Sequence, residues 1–177
     1  MYSKFKFVAP LLLLVFLSSQ KVNAQLSYDA TITYVKKSLV ELEELSRKYN
    51  DQYTYYLTNF QFAPYATDNN RVIMKYKRVF SDNTSDVFQI TFNPKHIVSI
   101  TKMTESTTNG FHFAQVTLTG PLALKIVTNN SDVETSEKTF TIPYVAGDPK
   151  AFLRLKAAIE NLKTLSLRRD SYDPFAN

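Results

Sequence analysis

GDPKAFLRLKAAIENLKTL, residues 147–165, is the stretch that decides the fold. Asp148 is a good helix N-cap, and Pro149 suits the first helical position, where its missing N–H would go unpaired anyway. Phe152, Leu155, Ile159, Leu162 and Leu165 then recur at steps of three and four, which sets them on one stripe. Arg154, Lys156, Glu160 and Lys163 fall mostly away from it. Such a helix is not stable alone, because its stripe needs an apolar surface to bury. The chain ahead of it must supply that surface.

It does so as a sheet. From Tyr53 onward the apolar period is two and β-formers dominate. Strands are expected at 53–63, 71–80, 86–92, 97–104, 111–119, 122–128 and 138–145. Turn chemistry separates them: Thr67–Asn70, Ser81–Ser85, Asn93-Pro94-Lys95, Asn109-Gly110 and Gly120-Pro121, then a polar loop over 129–137. Pro143 marks the last strand as an edge or a strand end. Before the sheet, residues 27–49 read as a helix with Ile32, Val35, Leu39, Leu42 and Leu45 in period and Ser27 or Asp29 as cap.

Residues 1–24 read as a signal peptide: Lys4 and Lys6, an apolar run from Phe7 to Leu17, then small residues at Val22-Asn23-Ala24. The run falls short of the ~20 residues that span a bilayer. The expectation is a secreted or periplasmic protein with no membrane insertion after cleavage. It has one globular domain over 25–167 and a flexible tail over 168–177. Three of the 21 basic residues leave with the leader, so 18 remain against 16 acidic ones. The sequence pI of 9.3 is therefore no reason to expect nucleic-acid binding. Cysteine is absent, so packing alone must stabilise the exported chain.

Seven antiparallel strands followed by one amphipathic helix resemble the pleckstrin-homology-like superfold. The resemblance lies in element order over about Tyr53 to Leu165, with the helix Tyr28–Tyr49 added. It implies an α+β fold: an N-terminal helix, a seven-stranded antiparallel half-open barrel and a C-terminal capping helix. The superfold hosts lipid-headgroup binders, peptide binders and structural modules, so it does not choose a function. Headgroup-binding members carry basic residues at the end of the first strand and along the second. Here Lys75, Lys77 and Arg78 lie on the second strand, but 53–63 holds no Lys or Arg, and export removes the chain from the cytoplasm. A lipocalin-like barrel would bring a Gly-x-Trp, and there is no Trp. A cystatin-like fold would not readily use seven strands and a second, terminal helix.

No motif marks chemistry. His96 sits at a turn and His112 within a strand, and neither has a partner at metal-ligand spacing. Three glycines leave no phosphate loop, and no G-x-S-x-G occurs. Asp82-Asn83-Thr84-Ser85-Asp86 lacks the glycine and distal glutamate of a calcium loop and reads as a turn. Glu43-Glu44 and Glu134 with Glu137 read as solvated surface. No catalytic residue, metal or cofactor is expected.

The aromatic run Tyr53, Tyr55, Tyr56, Phe60, Phe62, Tyr65 stands above background. Strict alternation puts Tyr53 and Tyr55 on one face and Tyr56, Phe60 and Phe62 on the other. One set is core. The other is either covered by the first helix or exposed as a contact surface. The candidate contact residues are Tyr53 and Tyr55, flanked by Lys75 and Lys77. The expected function is an exported non-enzymatic module that binds a protein or peptide through a sheet surface or strand edge. The alternative is a carrier of a small apolar ligand between sheet and helix, and a hydrolase with an unmarked site is the third reading.

Overall fold

The computed structural model describes residues 26–43, 45–48, 54–103, 110–128 and 131–171. The expected signal peptide lies outside the described residues. The architecture is α+β: an N-terminal helix, an antiparallel sheet curled into a half-barrel, and a C-terminal helix.

Helix α1 spans Tyr28–Val40, and its N-cap is Ser27, whose hydroxyl accepts the Ala30 N–H at 3.2 Å. It ends well before the Tyr49 expected from periodicity. Bonds of the i→i+3 type tighten the chain instead, from Leu42 to Leu39, Glu43 to Val40 and Leu45 to Leu42. Leu42 stays fully buried through that turn. The next residues extend as β1, Ser46–Lys48, because β2, Thr54–Tyr65, offers them a partner with Ser46 opposite Tyr56.

The other strands are β3 (Asp68–Phe80), β4 (Ser85–Phe92), β5 (Ile97–Lys102), β6 (Phe111–Thr128) and β7 (Ser131–Val145). Their order is β1-β2-β3-β4-β6-β5, with β7 on the other side of β6. The Ser81–Ser85 turn is a hairpin closed by Asp82, whose carboxylate accepts both the hydroxyl and the N–H of Thr84. Those bonds, the hydroxyl's first, hold the Asp82 carboxyl below the usual carboxylate range.

Two expected breaks in the sheet are strand instead. Gly120-Pro121 does not end a strand: β6 runs unbroken through it. Its ladder to β7 steps from Thr117↔Thr139 to Leu122↔Glu137, so the extra β6 residues bulge out as a corner. At that corner β6 leaves β5, its partner over 114–118, and takes up β4 over 123–128. β4 and β5 thus share one long partner, interrupted by the 3-10 turn Pro94–His96, which Asn93 caps by accepting the Lys95 N–H. β7 starts at Ser131, not Lys138. Residues 133–139 are exposed throughout, so this edge has no apolar face to announce it. Pro143 lies on this edge strand, as its missing N–H requires.

Helix α2, Ala151–Ser171, follows Asp148, whose side chain accepts the Lys150 N–H at 2.8 Å. Residues 168–171 belong to this helix and not to a tail; 172–177 lie outside the described residues. Leu155, Ala158, Ile159 and Leu162 are buried on the concave side of the sheet. They meet Val35 and Leu39 of α1 and Phe62, Met74, Phe92 and Ile142 of the strands in one core. Asn161 ties the helices together by donating to the Leu26 carbonyl at 2.9 Å and the Thr31 hydroxyl at 2.8 Å.

The curl brings β1 against the start of β6. Gly110 has φ +82°, and a Cβ there would stand 2.2 Å from the Ser46 carbonyl oxygen. Gly110→Ala therefore adds a backbone collision to the roughly 1–2 kcal/mol that a left-handed residue costs. Urea unfolding should show a loss above ~2 kcal/mol. An unchanged midpoint would mean that the seam is not packed this way.

Candidate functional site

Both helices lie on the concave face, so the convex face of the sheet is the surface left to partners. What it displays is set by β2 and β3. Asn59 adopts φ +57°, and the register slips between Thr58↔Lys77 and Gln61↔Lys75. Two residues, Asn59 and Phe60, therefore oppose Tyr76. The bulge's spare amide is satisfied from outside the sheet: Phe60 N–H donates to Glu43 Oε1 at 3.3 Å.

That bulge overturns the expected grouping of the aromatic run. Before it, Tyr55 and Leu57 face inward; after it, Phe60 and Phe62 do, so parity switches once. Tyr55 is only 6% exposed, packed on Phe111 with centroids 5.6 Å apart. It is a core residue and cannot serve as an exposed contact. Tyr53 lies outside the described residues. The outward tyrosine is Tyr56, at 42% exposure, which alternation had grouped with Phe60 and Phe62.

Lys75 and Lys77 do stand on the convex face. Val72, Met74 and Tyr76 are buried, so Arg71, Ile73, Lys75 and Lys77 project the other way. Lys75 is exposed and Lys77 half-buried. Register extends the Lys75 row across the sheet as Gln61, Lys75, Gln89, Lys125, Glu134. Lys125 and Glu134 pair at 3.8 Å. Beside this row a depression of about 550 Å3 is lined by Arg71, Gln89, Thr91, Lys125, Glu134 and Ser136 among others.

Arg78, the last basic residue of the strand, faces inward. Its guanidinium pairs with Asp86 and lies 4.9 Å from the Phe80 ring centroid and 5.0 Å from that of Phe88. Next to it the Tyr76 and Phe88 rings stack at 5.0 Å. Burial pushes the Tyr76 hydroxyl far above the usual phenol range.

The structure keeps the two histidines apart in their settings. His112 meets the Tyr144 ring edge-on at 5.8 Å, and His96 Nδ1 lies 3.1 Å from the Thr119 hydroxyl. Among the described residues no group of three or more His, Cys, Asp or Glu side chains stands together as a metal site. No helix among them is long and apolar enough to cross a membrane. Comparison of the chain with family models, with curated proteins and with solved structures finds no match.

Proposed function

We propose that this is an exported, non-enzymatic interaction module whose convex sheet face docks an acidic segment of a protein or peptide. The observation that carries this is the outward row of Arg71, Lys75 and Lys77 on β3, near the exposed Tyr56 of β2. Alternate residues of a strand stand about 7 Å apart. Cations at that spacing suit the carboxylates of an extended or helical acidic segment. Tyr56 adds a rigid amphipathic anchor at the edge of the row.

An apolar-ligand carrier would need the space between sheet and helices. Supporting the docking reading over it, Phe62, Phe92, Phe111, Leu57, Ile159 and Leu162 pack the core of that region as fully buried side chains, and the cleft of about 310 Å3 between α1, β7 and α2 carries the charged Glu41, Asp148 and Arg154 on its wall. We further place the module among pleckstrin-homology-like half-barrels, on the support of the curled sheet and the helix on its concave side. The unbroken β6, shared by β4 and β5, departs from a simple count of separate strands.

The test is fluorescence anisotropy with a labelled Asp/Glu-rich peptide, a Lys-rich peptide serving as control. The acidic peptide should bind in preference. Lys75→Glu with Lys77→Glu should weaken it roughly tenfold, because two attractions become repulsions. Tyr56→Ala should cost less, and thermal unfolding should hardly move. Equal binding of both peptides, or an unaffected double variant, would sink the reading.

A further inference from the structure

A second basic place in the fold shares Arg71 with the docking face but lies at the end of the sheet. Between the β2–β3 turn, the 3-10 turn and the β6 corner lies a cleft of about 460 Å3, lined by Asp68, Arg71, Asn93, Lys95, His96 and Pro121 among others. We propose that this cleft binds the carboxylate or phosphate group of a small organic anion.

Charge supports it first. Arg71, Lys95 and His96 line the cleft, and Asp68 is the one acidic residue on its wall. Asp68 is committed elsewhere: one oxygen accepts the Asn70 N–H at 2.9 Å, and the other stands 3.2 Å from Arg71 Nε as an ion pair. Its carboxylate is scaffold for the turn and for Arg71.

The anchoring is the second support. The ion pair with Asp68 engages Arg71 at Nε, the guanidinium nitrogen nearest its backbone, and a guanidinium's terminal nitrogens are the donors that grip an oxyanion in a fork. His96 is held the same way, through the inner ring nitrogen. The Thr119 hydroxyl stands within 3.4 Å of the His96 carbonyl and 3.1 Å from His96 Nδ1. Nε2 is the remaining polar atom of the ring. A ring held in advance loses less freedom on binding than a mobile side chain would.

Size is the third. The cleft falls within the ~300–1,000 Å3 range of small-molecule sites. It holds more than an inorganic anion, and exposed Pro121 offers a surface for the rest of the ligand.

The experiment is an amide NMR titration of the leaderless chain with sodium phosphate and, separately, sodium succinate, against sodium chloride at matched ionic strength. At least one probe should give saturable shifts centred on Arg71, Lys95, His96 and Gly120, and which probe does so tells phosphate from carboxylate. Arg71→Gln and His96→Gln should each weaken that binding about tenfold, the loss of one charge-assisted hydrogen bond. Lys75→Gln, on the same sheet face but outside the cleft, should leave it unchanged. No saturable shift with either probe would overturn the proposal. So would a Lys75→Gln loss equal to that of Arg71→Gln, which would reveal only diffuse attraction to the basic face.

Discussion

Ile159→Asp is expected to abolish cooperative folding or to remove most of the stability. Ile159 is 0% exposed at the centre of the α2 stripe, in one cluster with strand and α1 side chains. Losing a buried isoleucine costs about 2–5 kcal/mol. Leaving a carboxylate in its place adds several more, whether it ionises unpaired or takes up a proton. The sum rivals the ~5–15 kcal/mol that holds a domain of this size together. Leu153→Asp is the matched control: the same helix, the same change, but 62% exposed. It should move stability by no more than ~0.5 kcal/mol. Circular dichroism through a urea series reads both. Equal midpoints for the two variants would mean that α2 is not seated on the sheet.

The stripe that motivates this variant was legible because a helix displays its burial at fixed steps. Leu155, Ile159 and Leu162 are buried as the spacing requires, with Arg154 and Glu160 exposed. The outward placement of Lys75 and Lys77 was legible for the same reason, since Val72, Met74 and Tyr76 alternate with them. Alternation fails where the chain slips. Nothing in Thr58-Asn59-Phe60 announces a bulge as a glycine would, yet asparagine tolerates the left-handed backbone that the bulge needs. One unmarked residue moved Tyr55 into the core and Tyr56 out of it. The Gly120-Pro121 pair misled in the opposite sense, because the chemistry that makes a turn also makes a strand corner. The first half of β7 was silent because a strand exposed on both faces has no reason to alternate. The N-terminal helix was read too long because Leu42 is buried in a tight turn at the position where a further helical turn would also have buried it.

Arg78 and Asp86 face each other across the β3–β4 hairpin, and removing either one should cost far more than removing both. Their side chains are only 27% and 10% exposed. The guanidinium donates from Nε to Asp86 Oδ2 at 3.1 Å and again from a terminal nitrogen to the same oxygen. The rings of Tyr55, Phe80 and Phe88 surround it at 4.9–5.9 Å, which makes its removal a loss of packing as well as of charge. Arg78→Met leaves the buried Asp86 carboxylate with its opposite charge gone. Breaking a buried pair in this way costs about 3–5 kcal/mol. Asp86→Leu leaves the guanidinium in the same position and should cost a similar amount. The double variant removes both desolvated charges and puts apolar volume among Tyr55, Phe80 and Phe88. It should recover to within ~1 kcal/mol of the parent, because a well-packed apolar pair can equal a buried ion pair. Arg78→Lys should not rescue, since an ammonium has neither the fork that meets Asp86 nor the plane that lies on the rings. Urea unfolding of the four variants supplies the comparison. If the two single losses simply add in the double variant, the charges are not coupled, and the hairpin owes its stability to the aromatic rings alone.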